Sequence, residues 1–134
     1  MKEIKELDLS EDVRYTNDHE WAKLEGDMVR VGLSDYAQDQ LGDIVFVELP
    51  QVGDTLEKEE TFGTVESVKA VAELFMPVGG EIITVNSALE DAPELVNKSP
   101  YNEGWMIDIK PNDSEELEIL MTIKAYIELL KGTE

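Results

Sequence analysis

TFGTVESVKAVAELFM, residues 61–76, is the stretch that decides the fold. Residues 61–68 and 70–76 are both rich in β-branched, aromatic and small apolar side chains, the composition of strands. They meet at Lys69 and read as one hairpin with that lysine at its apex. Two-residue tips usually carry Asn-Gly or Asp-Gly, because the favoured turn needs positive φ at both positions. Val68-Lys69 offers neither. Turn chemistry is often given up where a site needs something else. The amine is also isolated. The nearest basic residues are Lys58 and Lys98, and between them stand Glu59, Glu60, Glu66, Glu73, Glu81, Glu90, Asp91 and Glu94.

On either side of the hairpin the chain keeps the same habit of short β runs between turn signals. WAKL (21–24) and MVRVGL (28–33) flank Glu25-Gly26-Asp27, read as a three-residue hairpin loop. Val29, Val31 and Leu33 share one face and Arg30 the other. In SDYAQDQLG, Ser34 is placed to cap a helix of about two turns and Gly42 to end it. DIVFVELP (43–50) is nearly all apolar and predicts a strand buried on both faces. Residues 51–60 read as a turn segment and 82–85 as another strand. Pro93 opens a helical turn over PELVN. GWMIDIKP (104–111) alternates, with Trp105, Ile107 and Ile109 on one face and Met106, Asp108 and Lys110 on the other. Ser114 is placed to cap a C-terminal helix that Thr122 breaks and Gly132 ends. Many short strands with tight turns suggest a sandwich or barrel, with the C-terminal helices (112–131) outside it. With no linker or low-complexity tract, residues 1–134 read as one domain, with 1–12 as a peripheral extension.

Charge narrows the function. The chain of 134 residues holds 31 acidic against 11 basic side chains, a formal net charge of −20. A field of that sign repels nucleic-acid phosphates and anionic lipid, and steers the protein toward basic surfaces on other proteins. Cysteine is absent and His19 is the only histidine. Disulfides, thiol nucleophiles and multi-histidine metal sites are therefore excluded. Any sulfur chemistry must come from an attached group. The N-terminal residues mix Lys with Glu and Asp without an apolar core, and no apolar run reaches transmembrane length. The expectation is a cytoplasmic protein.

Taken alone, Lys69 is an ordinary solvated lysine. An ordinary lysine amine is a poor spontaneous nucleophile. Acylation of this amine would need an enzyme with an activated donor.

The string around the lysine changes that reading. GTVESVKA resembles the attachment site of lipoyl carrier domains. YTNDHEWAKLEG, VGLSDYAQDQLGDIVFVELPQVGD, FGTVESVKA, ALEDAPELVN and SPYNEGWMIDIKP together resemble the H-protein family of the glycine cleavage system. The resemblance runs from about Tyr15 to Tyr126. It implies a mainly β fold: a lipoyl-type flattened β barrel or sandwich of short antiparallel strands, with a short internal helix and C-terminal helices. It implies lipoic acid amide-linked to Lys69 by a lipoyl ligase or transferase, with Glu66, Ser67, Val68 and Ala70 forming the attachment hairpin. Glu66 and Glu73 would help the ligase and the partner enzymes recognise the tip. It also implies a non-catalytic carrier working as a monomer with three enzymes. These are a glycine decarboxylase (P protein), an aminomethyltransferase (T protein) and dihydrolipoamide dehydrogenase (L protein). A cleft that shelters the loaded arm would include Glu20 and Gln40. Gln40 stands where some members have histidine, and an amide cannot serve as a base near neutral pH. His19 reads as structural, and Trp21 and Trp105 as core or cleft wall.

Other readings stay open at this point. H-like carriers can relay lipoyl groups to other systems or serve sulfur-compound oxidation. A biotin carrier would surround its lysine with methionines, where this chain has Val68 and Ala70. An unmodified structural module would have no use for an intact ESVKA. No nucleophile elbow, phosphate-binding glycine loop or catalytic constellation points to an enzyme.

Overall fold

The computed structural model describes residues 3–133. Residues 1, 2 and 134, which belong to the predicted domain and its N-terminal extension, lie outside the described residues. Among the described residues nine strands form two antiparallel sheets. In chain order they are β1 (Arg14–Tyr15), β2 (Glu20–Glu25), β3 (Met28–Leu33), helix α1 (Asp35–Leu41), β4 (Ile44–Glu48), β5 (Thr55–Leu56), β6 (Thr61–Ser67), β7 (Val71–Phe75) and β8 (Gly80–Val85), with helices α2 (Ala88–Asp91) and α3 (Leu95–Lys98), then β9 (Ile107–Pro111) and helices α4 (Glu115–Glu118) and α5 (Ile123–Thr133). The large sheet runs β1-β2-β3-β9-β8-β5 and the small one β4-β6-β7. Val29, Val31, Ile82, Ile107 and Ile109 of the large sheet share one core with Ile44, Val47, Phe62, Val65 and Leu74 of the small sheet. The result is a flattened sandwich without barrel closure. No helix among the described residues is long and apolar enough to cross a membrane.

A second core lies at the other face of β1 and β2. The rings of Tyr15 and Tyr126 stack at 4.2 Å between centroids and 2° between planes. Trp21, Val13 and Leu130 complete it. Tyr126 comes from α5, so this cluster docks the C-terminal helix. Its hydroxyl meets Ser34 Oγ at 2.8 Å and His19 Nδ1 at 2.9 Å. The N-terminal segment is also tied down. Ile4, Leu7 and Leu9 pack on this cluster, and the Asp8 amide donates to Asp35 Oδ2 at 2.8 Å.

Helix α1 forms as its sequence predicts. Ser34 Oγ accepts from the Ala37 amide at 3.2 Å, and Gly42 ends the helix with φ 79. Several other expectations need correction. Glu25 pairs with Met28, so the β2–β3 loop has two residues, with Gly26 at φ 64 in the first position, where type II′ turns place glycine. The 51–60 segment contains the short strand β5. Ser114 makes no side-chain cap; Asp113 Oδ1 takes the Glu115 amide instead. Helix α5 continues through Gly132 to Thr133.

Two strands exchange their expected environments. β4 is not buried on both faces: Val45 and Phe46 are 52% and 48% exposed. A β-bulge between Ile44 and Phe46 breaks the alternation, so two consecutive side chains face out while Ile44 and Val47 face in. β9 does the reverse. Met106, just before it, is fully buried and Asp108 only 5% exposed, so the face they share is closed as well as the one that carries Ile107 and Ile109. Arg30 on β3 grips Asp108 with two bonds of 2.9 and 3.1 Å and lies over the Trp105 ring. That paired charge is what lets a carboxylate sit inside a central strand.

Candidate functional site

The β6–β7 hairpin ends with the pair Glu66 and Val71. Beyond it the Ser67 amide donates to the Ala70 carbonyl at 2.8 Å, leaving Val68 and Lys69 as the tip. Neither has positive φ. Ser67 explains how an unfavourable turn sequence holds. Its hydroxyl oxygen accepts from the Lys69 and Ala70 amides at 3.3 and 3.1 Å, replacing the Asn or Gly that such tips usually need. Glu66, Val68, Lys69 and Ala70 are exposed and Ser67 half-buried.

The tip is also braced from outside. The Val68 amide donates to the Asp43 carbonyl at 3.1 Å, in the turn between α1 and β4. Gly42 in that turn has no side chain, and a Cβ placed there would sit 3.6 Å from Lys69 Cε. The lysine stem therefore runs beside the turn. Asn97, at the end of α3, holds this turn closed. Its Oδ1 accepts from the Ile44 amide, and its Nδ2 donates to the Gly42 carbonyl and Gln38 Oε1, each at 2.9 Å. The sequence reading missed Asn97. Its partners lie 53 to 59 residues away, so no local pattern could have marked it. Among the described residues no ion pair holds the Lys69 ammonium.

Two recesses open near this hairpin. One, of about 190 Å³, is lined by Leu33, Ala37, Leu41, Val65, Ala72 and Leu74, with Gln40, His19, Tyr36, Asp18 and Glu73 around them. It begins at the paired residues Val65 and Ala72, about 10 Å from Lys69 along the strand at 3.3 Å per residue. The other, of about 160 Å³, is more polar and is bordered by Glu20, Thr16, Asp18, Lys58 and Phe75. Gln40 and Glu20 thus border different recesses, and Asp18 borders both.

Glu20 opens β2 and is turned inward. It is 1% exposed. Its Oε1 accepts from the Thr16 hydroxyl at 2.7 Å and its Oε2 from the Phe75 amide at 3.1 Å. Burial away from water raises its pKa to about 7, against the two hydrogen bonds that lower it. His19 is half-buried with φ 69, in the left-handed region. Its ring meets the Tyr126 hydroxyl and tilts against Tyr36. Burial lowers its pKa, which favours the neutral ring.

The arrangement offers one accessible primary amine on a fixed base, near a recess of about 190 Å³ with largely apolar walls. The comparisons with known proteins agree with one another. A family model described as "Glycine cleavage H-protein" matches residues 13–133. A "Glycine cleavage system H protein" of Bacteroides thetaiotaomicron is 53% identical over 126 residues, covering 94% of this chain and all of that one. One from Anaeromyxobacter sp. (strain K) is 56% identical over 120 residues, covering 90% of this chain and 94% of that protein. The crystal structure of a glycine cleavage system H protein from Mycobacterium marinum superposes with a TM-score of 0.82 at 37% identity, covering 93% of this chain and 98% of the other.

Proposed function

The chain belongs to the glycine cleavage H-protein family, a non-catalytic lipoyl carrier of the glycine cleavage system, and on that footing we propose that Lys69 is the residue that carries the lipoyl group. The observation that carries this reading is the exposed amine at the apex of a hairpin pinned from within by Ser67 and from the β4 side by the Asp43 carbonyl. When bound, the group supplies a disulfide that opens to thiols, the chemistry a cysteine-free chain lacks. Glu66, Ser67, Val68 and Ala70 form the attachment hairpin, and Ser67 fixes the backbone from which Nζ projects. A rigid base with a long tether raises the effective concentration of one carried group at successive active sites.

The apolar recess is the shelter for the arm. Its aliphatic walls suit a hydrocarbon chain, and Gln40 sits on its edge as a neutral hydrogen-bonding group. Glu20 borders the neighbouring recess and, bonded to the Thr16 hydroxyl and the Phe75 amide, holds the wall that the arm's polar end meets. Asp18, shared by both recesses, continues the acidic lining between them. The partners are the P, T and L proteins of the system together with a lipoyl ligase or transferase. The carrier serves them as a monomer in the cytoplasm.

Trypsin tests the assignment directly. Protein from its native host should resist cleavage after Lys69, giving one peptide of residues 59–98 heavier by a lipoyl group. The Lys69→Arg variant should take up no lipoate and support no glycine-dependent NAD reduction with P, T and L proteins. Complete cleavage at Lys69 in active native protein would overturn the reading.

A further inference from the structure

Among the described residues seven large apolar side chains stand exposed: Leu24, Val45, Phe46, Val52, Val68, Val71 and Ile119. Four of them fall at one place. Val68 is at the hairpin tip, 71% exposed. Val71, at 66%, and Phe46 flank Glu66 in one row across β7, β6 and β4. Row-mates in paired strands share a face. Val45 joins them because the bulge turns it outward with Phe46. The next row on that face is Glu48, Thr64 and Glu73. The outer face of the small sheet is therefore an apolar patch at the tip with carboxylates at its centre and along its lower border. A bulge that exposes two apolar side chains forfeits burial that regular alternation would have kept.

We propose that this face is the docking surface for the enzyme that acylates Lys69, and that the enzyme's matching surface is an apolar recess rimmed by lysine or arginine. The proposal rests on Lys69 as the attachment residue. Reach selects this occupant. A lysine side chain extends only roughly 6 Å beyond its Cα. An enzyme that builds an amide on Nζ must bring its own surface against the rows next to the tip. An enzyme that reads the far end of a loaded arm stands back by the length of that arm. Charge selects the rim, since Glu48, Glu66 and Glu73 favour a cationic counterpart. With an acyl adenylate as donor, Nζ, having lost a proton, attacks the carbonyl carbon. The N–C bond forms, the C–O bond to phosphate breaks, AMP leaves with the electron pair, and the nitrogen gives up its second proton to water.

The test compares two enzymes on the same variants. Val45→Ser and Phe46→Ser, singly and together, lie outside the attachment hairpin. Lipoate attachment to the unmodified carrier is followed by mass with purified lipoate–protein ligase and ATP. Carrier driven to full modification is then assayed for reduction by dihydrolipoamide dehydrogenase and NADH. The double variant should lose about tenfold in kcat/KM for attachment, mostly through KM, and less than about twofold in reduction. Glu48→Lys, an exchange of one exposed polar side chain for another, should lower attachment as well and needs no apolar residue removed. Attachment at the wild-type rate in both the double variant and Glu48→Lys overturns the docking face. Equal loss in both assays overturns it too. Wild-type protein that takes no lipoate on Lys69 at any ligase concentration fails the attachment reading instead, so the two failures are separable.

Discussion

Glu20 shows how one side chain can set a pH dependence. Its pKa in the folded chain, about 7, lies above the 4.5 of a free glutamate. The folded state therefore holds a proton that the unfolded chain has released between those two values. Stability falls as pH rises through that window and levels off above about 7. The whole shift corresponds to about 3 kcal/mol. Glu20→Gln removes the ionisation while its amide can still accept from Phe75 and donate to Thr16 Oγ. The variant should match wild type below about pH 4 and exceed it by up to about 3 kcal/mol at pH 8. Urea denaturation at both values measures the difference. A gap that stays constant with pH would show that the buried carboxyl titrates normally.

At the scale of elements, the attachment hairpin depends on a turn it does not contain. Asn97 closes the link between α1 and β4, and that link takes the Val68 amide. Asn97→Ala leaves the Ile44 amide and Gly42 carbonyl without their partner, at a cost of roughly 1–3 kcal/mol. The loss should appear locally first. Amide exchange at Val68 and Ile44 should speed up well before the core strands β3 and β9 change, as hydrogen exchange resolved by residue will show. Uniform acceleration across both sheets would mean that Asn97 supports the whole fold and not the tip. Legibility at this scale followed distance. α1 was readable because Ser34, Ala37 and Gly42 lie within nine consecutive residues. The hairpin was readable because both strands and the tip are contiguous. The bulge in β4 was not, because it exists only in register with β6. The burial of β9 was not, because it needs Arg30 from β3.

For the whole molecule, a charge of −20 acts over every encounter. Docking on basic partners should be fast at low salt and weaken as screening grows. Partner turnover with the carrier should fall roughly threefold to tenfold between about 0.05 and 0.3 M salt, through KM and not kcat. Steady-state kinetics with each partner enzyme will show it, and a flat response with all of them would remove electrostatic steering from the account. The sequence by itself determined the charge, the absence of cysteine, the strand-and-turn rhythm and the lysine at the hairpin tip. Each of these is composition or a pattern spanning a few neighbours. Only the tertiary structure decided that Glu20 is buried, that Tyr126 locks α5 onto α1, that Asn97 braces the tip and that Phe46 faces solvent. Those outcomes depend on residues far apart in the chain arriving at one place, where desolvation and hydrogen-bond pairing are settled together.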